Sequence, residues 1–165
     1  MASELKNLSK IDAVLPDATD FRFGIVVSEY YSEITESLLK ACLETFAAQN
    51  VQQKNVIIRY APGTYELPIA CQRLNRWEKL DAVIAFGCVV KGDTDHDQYI
   101  NHSVAQALQD LSLKYGKPFL FGVLTPNTYQ QAVDRAGGIH GNKGVEVAVA
   151  ALKMVAYEKE LENNA

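Results

Sequence analysis

Three aspartates and one histidine stand close together in the segment GDTDHDQY, residues 92–99. Asp93, Asp95, His96 and Asp97 directly follow an apolar run, DAVIAFGCVVK. Carboxylates and imidazoles are common metal ligands, but the chain has no HExxH motif, no paired cysteines and no EF-hand spacing. We therefore expect no metal at this segment.

Helix capping would explain the aspartates but not the histidine. Asp95 and Asp97 fall where a helix is predicted to begin, and carboxylates there cap free N–H groups and suit the helix dipole. A neutral imidazole at that position can both take and give a proton near neutral pH. His96 is thus a candidate general acid or base, whereas His102 and His140 are interpreted as surface or packing residues.

An anionic group is a second candidate ligand for this region. The Thr94 hydroxyl and the backbone amides of residues 92–95 could cradle an anion at a helix N-terminus. Because the flanking aspartates oppose it, a cation from elsewhere is needed. Arg135 and Lys143, in RAGGIHGNKG, are the candidates, although each alone is more typical of a solvated surface charge.

Two further stretches could contact a flat, polar ligand. In APGTYELP, Pro62 and Gly63 predict a turn and Glu66 begins a helix. Glu66 either favours the helix dipole or accepts N–H bonds from a ligand. Tyr30 and Tyr31 could stack on a ring, or pack at the rim of the fold.

The elements that must position these residues alternate between strand and helix. The strands are predicted at 21–28, 55–60, 80–90 and 119–124, and the helices at 31–50, 65–77, 98–115, 129–136 and 144–161. Continuously apolar strands indicate a parallel sheet covered on both faces. We predict an α/β fold, a three-layer αβα sandwich with a flavodoxin-like sheet of order 2-1-3-4 and a loop at 137–143. Ligands bind beyond the carboxyl ends of such strands, where the candidate residues fall.

Bulk composition limits the class of protein. The 165 residues predict one domain, 1–165, with an N-terminal arm at 1–20. The content of 48% hydrophobic residues is typical of a globular protein. A net charge of −4 disfavours nucleic-acid binding, and no apolar run predicts a membrane span. Three cysteines in apolar contexts and a polar start without a signal peptide favour a cytoplasmic location.

Four motifs together resemble the 6,7-dimethyl-8-ribityllumazine synthase family. They are PGTYELP at 62–68, GCVVKGDTDH at 87–96, FGVLT at 121–125 and RAGGIHGNKG at 135–144. Their order and spacing match from residue 23 to about 152. The resemblance implies a transferase that condenses 5-amino-6-(D-ribitylamino)uracil with 3,4-dihydroxy-2-butanone 4-phosphate. The products are 6,7-dimethyl-8-ribityllumazine, phosphate and water, and the resemblance implies no cofactor.

The resemblance also implies residue roles. His96 matches the proton-transfer histidine of the family, and Phe121 matches an aromatic wall contributed across a subunit boundary. The implied uracil-binding residues are Tyr30, Thr64, Tyr65, Glu66, Cys88, Val89, Val90, Phe121 and Lys143. The implied residues for the phosphorylated ketone are Asp93, Thr94 and Arg135.

The chain departs from the family pattern in three places. Tyr30 and Tyr31 stand where Phe or Trp followed by Asn is common, and Lys91 replaces a common Arg. The three aspartates of residues 93–97 add more acid than most members carry. An alternative is therefore a lumazine- or flavin-binding protein, or a shell-forming one, with the same fold and little catalysis.

The resemblance further implies assembly. Members form homopentamers with sites at subunit interfaces, and some pack twelve pentamers into a 60-mer shell. The HGNKG loop carries no insertion, a feature that resembles shell-forming members. We expect residues 8–16 of the arm to pair with the sheet edge of a neighbour, and the resemblance implies riboflavin synthase as a partner.

Overall fold

Four parallel strands form the central sheet of the computed structural model, which describes residue 7, residues 9–10 and residues 14–164. The strands are β1 (Phe23–Ser28), β2 (Val56–Ala61), β3 (Ala82–Cys88) and β4 (Phe119–Leu124). Their order is β2-β1-β3-β4, so the predicted order 2-1-3-4 is confirmed. β1 and β3 are buried along their whole length because they occupy the centre of the sheet.

Five α-helices of the described residues connect and cover the strands. They are α1 (Ser32–Ala48), α2 (Leu67–Trp77), α3 (His96–Tyr115), α4 (Tyr129–Arg135) and α5 (Lys143–Asn163). Each lies within about two residues of its predicted position. The predicted three-layer αβα sandwich is confirmed.

Two apolar clusters hold the layers together. On one face of the sheet, Leu38 and Phe46 of α1 pack with Leu152 of α5 against the side chains of β1 and β3. On the other face, Leu67 of α2 and Leu108 of α3 pack against the alternate side chains of the same strands. Because successive side chains of a strand point to opposite faces of the sheet, β1 and β3 each contribute to both clusters.

The carboxyl ends of the strands meet at one edge. Ser28 pairs with Ala61 between β1 and β2, and Cys88 pairs with Leu124 between β3 and β4. The loops that follow the strands therefore leave the sheet side by side, at the edge predicted to bind ligand.

The segment predicted as a loop, 137–143, contains a small antiparallel hairpin instead. β5 (Ala136–Gly138) pairs with β6 (Gly141–Asn142), and α5 begins directly after it. Gly137 and Gly141 have φ values of 109° and 83°, which glycine adopts without a steric cost. Strands of two and three residues are too short to show a period of two in the sequence, which is why the prediction was wrong.

The N-terminal arm is described only in part. The Ser9 hydroxyl accepts a hydrogen bond of 2.7 Å from the backbone N–H of Asn142, so this part of the arm touches the hairpin of its own chain. Residues 8 and 11–13 lie outside the described part of the chain. The pairing of residues 8–16 with a neighbouring sheet stays a prediction.

Candidate active site

A cleft of about 390 Å³ opens at the carboxyl edge of the sheet, between the loops after β1, β2 and β3. We call it the imidazole cleft, because His96 lies in its wall. Its lining residues are Tyr30, Tyr31, Gly63, Thr64, Tyr65, Glu66, Cys88, Val89, Val90, His96 and Ile100. The structure thus brings together most of the residues that the resemblance assigns to the uracil, and it places the histidine beside them.

The turn after β1 presents Tyr30 to the cleft. Tyr31, at the N-cap of α1, has a left-handed backbone with φ 55° and ψ 48°. Its carbonyl oxygen accepts hydrogen bonds from Ile34 N and Thr35 N, and the Thr35 hydroxyl donates to Ser28 O at 2.9 Å. These bonds close a tight strand-to-helix turn, from which the Tyr30 ring projects with 70% of its surface exposed.

The turn after β2 rests on a glycine of β3. A Cβ at Gly87 would lie 2.7 Å from Thr64 Oγ1 and 3.0 Å from Leu67 Cδ1, so only glycine lets this turn approach the sheet. Thr64 is 5% exposed. Among the described residues its hydroxyl has no hydrogen-bond partner, although a buried hydroxyl ordinarily has one. A polar ligand atom in the cleft could supply it.

Cys88 forms part of the floor of the imidazole cleft. Burial raises the pKa of its thiol to about 11, because desolvation penalises the thiolate. Burial also raises the pKa of the Cys42 and Cys71 thiols. The thiol of Cys88 is thus neutral at neutral pH and serves as an apolar wall, since a nucleophile would need the thiolate.

The aspartates around His96 do not cap α3 in the predicted way. Asp95 occupies the N-cap position but, within residues 14–164, its side chain accepts from Gln98 Nε2 at 3.2 Å and caps no backbone N–H. Its backbone, at φ −78° and ψ 15°, lacks the extended conformation from which an N-cap side chain turns back onto the helix. Asp97 lies in the first turn, where it suits the dipole, and one of its carboxylate oxygens is buried without a described partner. The capping prediction was wrong for Asp95.

A second cleft, also of about 390 Å³, holds the predicted cations. We call it the arginine cleft. Its lining residues are Val123, Leu124, Thr125, Pro126, Gln131, Arg135, His140 and Lys143. His96 does not line it, so within one chain the candidate base and the candidate phosphate ligand lie in different clefts.

Glu146 fixes both cations of the arginine cleft. Its two carboxylate oxygens lie 2.7 Å from Arg135 Nη2 and 3.1 Å from Lys143 Nζ, and Arg135 Nη1 donates to His140 O at 3.0 Å. The Arg135 and Glu146 side chains are about one fifth exposed, which limits screening by solvent. Two cations against one carboxylate leave a positive charge facing the cleft. The sequence analysis missed Glu146, whose only signal was its i, i+3 spacing from Lys143.

Three predicted site residues line neither cleft, as far as the described residues define them. Asp93 and Thr94 are exposed in the loop before α3. Phe121 lies in β4, an edge strand of the sheet, and packs beside the α2–α3 cluster. A single chain therefore does not gather all the residues that the resemblance assigns to one site.

The described residues contain neither a metal-site cluster nor a membrane-spanning helix. There, no three histidine, cysteine, aspartate or glutamate side chains gather as a metal site would require. None of the helices in that part of the chain combines the length and apolar character of a membrane span.

Fold and cleft together define a flavodoxin-like α/β protein of the class that binds small molecules beyond the carboxyl ends of parallel strands. Comparison with known proteins gives the family. The sequence model of the 6,7-dimethyl-8-ribityllumazine synthase family matches residues 20–159. The chain belongs to this family.

Relatives with that name align over almost the whole chain. The chain is similar to the 6,7-dimethyl-8-ribityllumazine synthase of Parabacteroides distasonis, with 46% identity over 95% of this chain and 99% of the relative. Identity to the Porphyromonas gingivalis protein of the same name is 46%, over 96% of this chain and 99% of that relative. Identity to the Flavobacterium johnsoniae protein of the same name is 44%, over 97% of this chain and 84% of that relative.

Family membership confirms the expected class of activity. The chain is a transferase of riboflavin biosynthesis that acts on small molecules, and homo-oligomeric assembly is general in its family. The alternative of a binding or shell-forming protein with little catalysis is not favoured.

Proposed function

We propose that the imidazole cleft binds 5-amino-6-(D-ribitylamino)uracil and condenses it with 3,4-dihydroxy-2-butanone 4-phosphate to give 6,7-dimethyl-8-ribityllumazine. The observation that carries this proposal is the joint presence of an aromatic ring, a carboxylate and an imidazole, from Tyr30, Glu66 and His96, around one cleft. The cleft needs no cofactor for this reaction, because both substrates bring the reacting groups.

The uracil takes the part of the cleft built by the first two loops and β3. The Tyr30 ring offers a face on which the pyrimidine stacks. The carboxylate of Glu66 accepts hydrogen bonds from the N–H and hydroxyl groups of the substrate, and the Thr64 hydroxyl gains the partner that the described protein does not give it. Tyr65 and the segment of Cys88, Val89 and Val90 complete the wall.

His96 moves protons between the substrate groups. The amine of the uracil attacks the ketone carbonyl and water leaves, which forms an imine. Loss of a C–H proton as the C–O bond to phosphate breaks gives an enol, which takes up a proton at its methylene carbon and becomes a methyl ketone. The second nitrogen then attacks this carbonyl and closes the ring with loss of a second water. These steps need a group that takes and gives protons, and an imidazole exposed in the cleft wall can act in both directions.

The phosphorylated ketone is held by the cations of the arginine cleft. Arg135 and Lys143 share Glu146, which sets both head groups in one geometry before the phosphate arrives. A planar guanidinium can bond two phosphate oxygens at once, so Arg135 is the principal anchor. Asp93 and Thr94 add contacts from their backbone amides and hydroxyl.

A second copy of the chain completes the site. The two clefts are separate within one chain, and Phe121 lies on an edge strand, where a neighbouring molecule can reach it. We propose that Phe121, Arg135 and Lys143 act at the imidazole cleft of the adjacent subunit. Closed rings of identical subunits repeat one such interface around an axis.

His96→Gln should lower kcat by about tenfold or more, because glutamine keeps a polar side chain but cannot transfer a proton at neutral pH. Steady-state formation of lumazine absorbance measures the change after the spontaneous condensation is subtracted. His102→Gln, an exposed histidine of the same helix, is the matched control. A His96→Gln enzyme with wild-type kcat would remove the proton-transfer role.

Arg135→Ala should raise the KM of the phosphorylated ketone by about tenfold and leave the KM of the uracil within about twofold, because a bidentate charge-assisted contact is lost. Arg135→Lys should recover part of the loss, since it restores the charge without the fork. Arg73→Ala, an exposed arginine of α2, serves as the control. An effect confined to the uracil would refute the assignment.

The assembly is proposed to be a pentamer that packs further into a 60-subunit shell. The loop between β5 and β6 holds only Ile139 and His140, so no insertion blocks packing there. Sedimentation velocity should show a dominant species near 60 times the mass of the chain, with the pentamer and smaller species as minor components. Material that sediments only as a pentamer would disprove the shell.

Association with riboflavin synthase and a cytoplasmic location belong to the same proposal. The cytoplasmic location is supported by the three free cysteines.

A further inference from the structure

Tyr31 adopts a backbone conformation that its side chain disfavours. Its φ of 55° and ψ of 48° lie in the left-handed region, where a bulky L-residue is uncommon because its Cβ crowds the following carbonyl oxygen. Such a conformation persists only where the surrounding structure holds it. Because Tyr31 directly follows Tyr30, whatever holds Tyr31 also sets the direction of the Tyr30 ring.

Contacts from α4 hold the Tyr31 turn. The rings of Tyr31 and Tyr129 lie with centroids 6.1 Å apart and planes tilted by 39°. The Tyr129 hydroxyl donates a hydrogen bond of 2.9 Å to Glu33 Oε2, in the first turn of α1. Since Tyr31 and Glu33 flank the start of α1, Tyr129 contacts that start at two points. We call Tyr31, Tyr129 and Glu33 the tyrosine brace.

The donor of the brace, the Tyr129 hydroxyl, stays protonated at neutral pH. The bond to Glu33 and its negative charge raise the pKa of the Tyr129 phenol above its usual range. The phenol therefore keeps the proton that it donates.

Two residues of the brace, Tyr129 and Glu33, lie outside the imidazole cleft. The three brace residues line a third cleft of about 520 Å³, together with Glu29, Tyr30, Ser32 and Pro62. Tyr30 and Tyr31 line both clefts and thus form the wall between them. Tyr129 and Glu33 touch that wall from behind and do not line the cleft that holds His96.

The helix that carries Tyr129 is itself fixed against α1. The Ser37 hydroxyl donates to Ala136 O at 2.6 Å, just beyond the end of α4, and Asn142 Nδ2 donates to Ser37 O at 3.2 Å. With Tyr129 at its first residue and these bonds at its other end, α4 is a firm support for the Tyr31 turn.

We propose that the tyrosine brace is a positioning device for the uracil substrate: it holds Tyr31 in its left-handed conformation and so fixes the Tyr30 ring as a stacking surface. This inference rests on the role proposed above for Tyr30. It is selective, because Arg135 takes its position from Glu146 and His140 rather than from the brace. Loosening the brace should therefore weaken binding of the uracil and spare the phosphorylated ketone.

Tyr129→Phe tests the brace, since it removes the hydroxyl and keeps the ring. We expect the KM of the uracil to rise about fivefold, with kcat and the KM of the ketone within about twofold, as for the loss of a hydrogen bond to a charged group. Glu33→Gln keeps a weaker acceptor and should give a smaller rise in the same parameter. Unchanged kinetics in both variants, or an equal rise for both substrates, would overturn the proposal.

Tyr60→Phe is the matched control. Glu36 of α1 raises the pKa of the Tyr60 phenol as Glu33 raises that of Tyr129, but Tyr60 lies on the edge strand β2 and lines none of the three clefts. Tyr60→Phe removes a phenol hydroxyl that an α1 carboxylate influences without touching the Tyr31 turn, so we expect wild-type KM values for both substrates. A rise in uracil KM equal to that of Tyr129→Phe would assign the effect to general loosening of α1 and overturn the inference.

Tyr31→Asn tests whether the backbone conformation is what the brace holds. Asparagine enters the left-handed region more readily than tyrosine, so the turn should need less support. Adding Tyr129→Phe to Tyr31→Asn should then change the uracil KM by less than about twofold, a coupling that a double-mutant cycle detects. Full additivity of the two changes would show that the conformation plays no part.

Two measurements separate failure of the brace from failure of the proposed function. Tyr30→Ala should raise the uracil KM, and an unchanged value would remove the stacking role on which the inference rests. Amide exchange at Ile34 and Thr35, whose N–H groups bond to Tyr31 O, reports the turn without reference to activity. Exchange should quicken about threefold or more in Tyr129→Phe, and unchanged exchange would overturn the brace alone.

Discussion

The buried parallel register of the sheet is the constraint on which the site depends. Backbone N–H and C=O groups in the interior must be paired, and a strand covered on both faces finds those partners only in its neighbours. Ser28 therefore stands beside Ala61 and Cys88 beside Leu124, and the chain has to leave the sheet from all four strands at one edge. The clefts are built from the loops that follow the strands. Their residues come from distant parts of the sequence, and the pairing of the strands before them brings them side by side.

Local features then decide what each exit presents. Gly87 lets the Thr64 turn lie on the sheet, and Glu146 sets the two cations of the arginine cleft. Burial keeps the Cys88 thiol neutral. The residues proposed as stacking ring, proton carrier and phosphate ligand are thus positioned by separate interactions. Each can be altered without disturbing the core.

The strand order, the helices and the end of the sheet where the clefts open could be predicted from the sequence. They follow from the spacing of apolar residues and from the few crossover connections that parallel strands allow. The capping role of Asp95 could not be predicted, because it depends on a ψ angle that the preceding loop sets. The hairpin at 136–142 was not predicted, because its strands are too short to show the alternation of apolar and polar residues that indicates a strand. The left-handed Tyr31 has no local signal either, since a tyrosine from α4 supports it.

The resemblance of the motifs assigns His96 and Arg135 to one site. It does not say in which cleft of the chain each residue lies. That partition depends on which loop folds toward which layer, and the structure puts the two residues in different clefts of one chain. A site made from two copies reconciles the separation with one reaction. It also gives Phe121, on an edge strand, a position that a neighbouring subunit can use.

Subunit mixing tests this account most directly. His96→Gln and Arg135→Ala chains are unfolded, combined in equal amounts and refolded together, and activity is measured at a ketone concentration well below the KM of Arg135→Ala, where each variant alone has low activity. If each site takes its histidine from one chain and its arginine from the next, random mixing gives about a quarter of sites with both native residues, and about a quarter of wild-type activity returns. Activity no higher than the mean of the two variants would show that one chain supplies both residues, which would contradict the account.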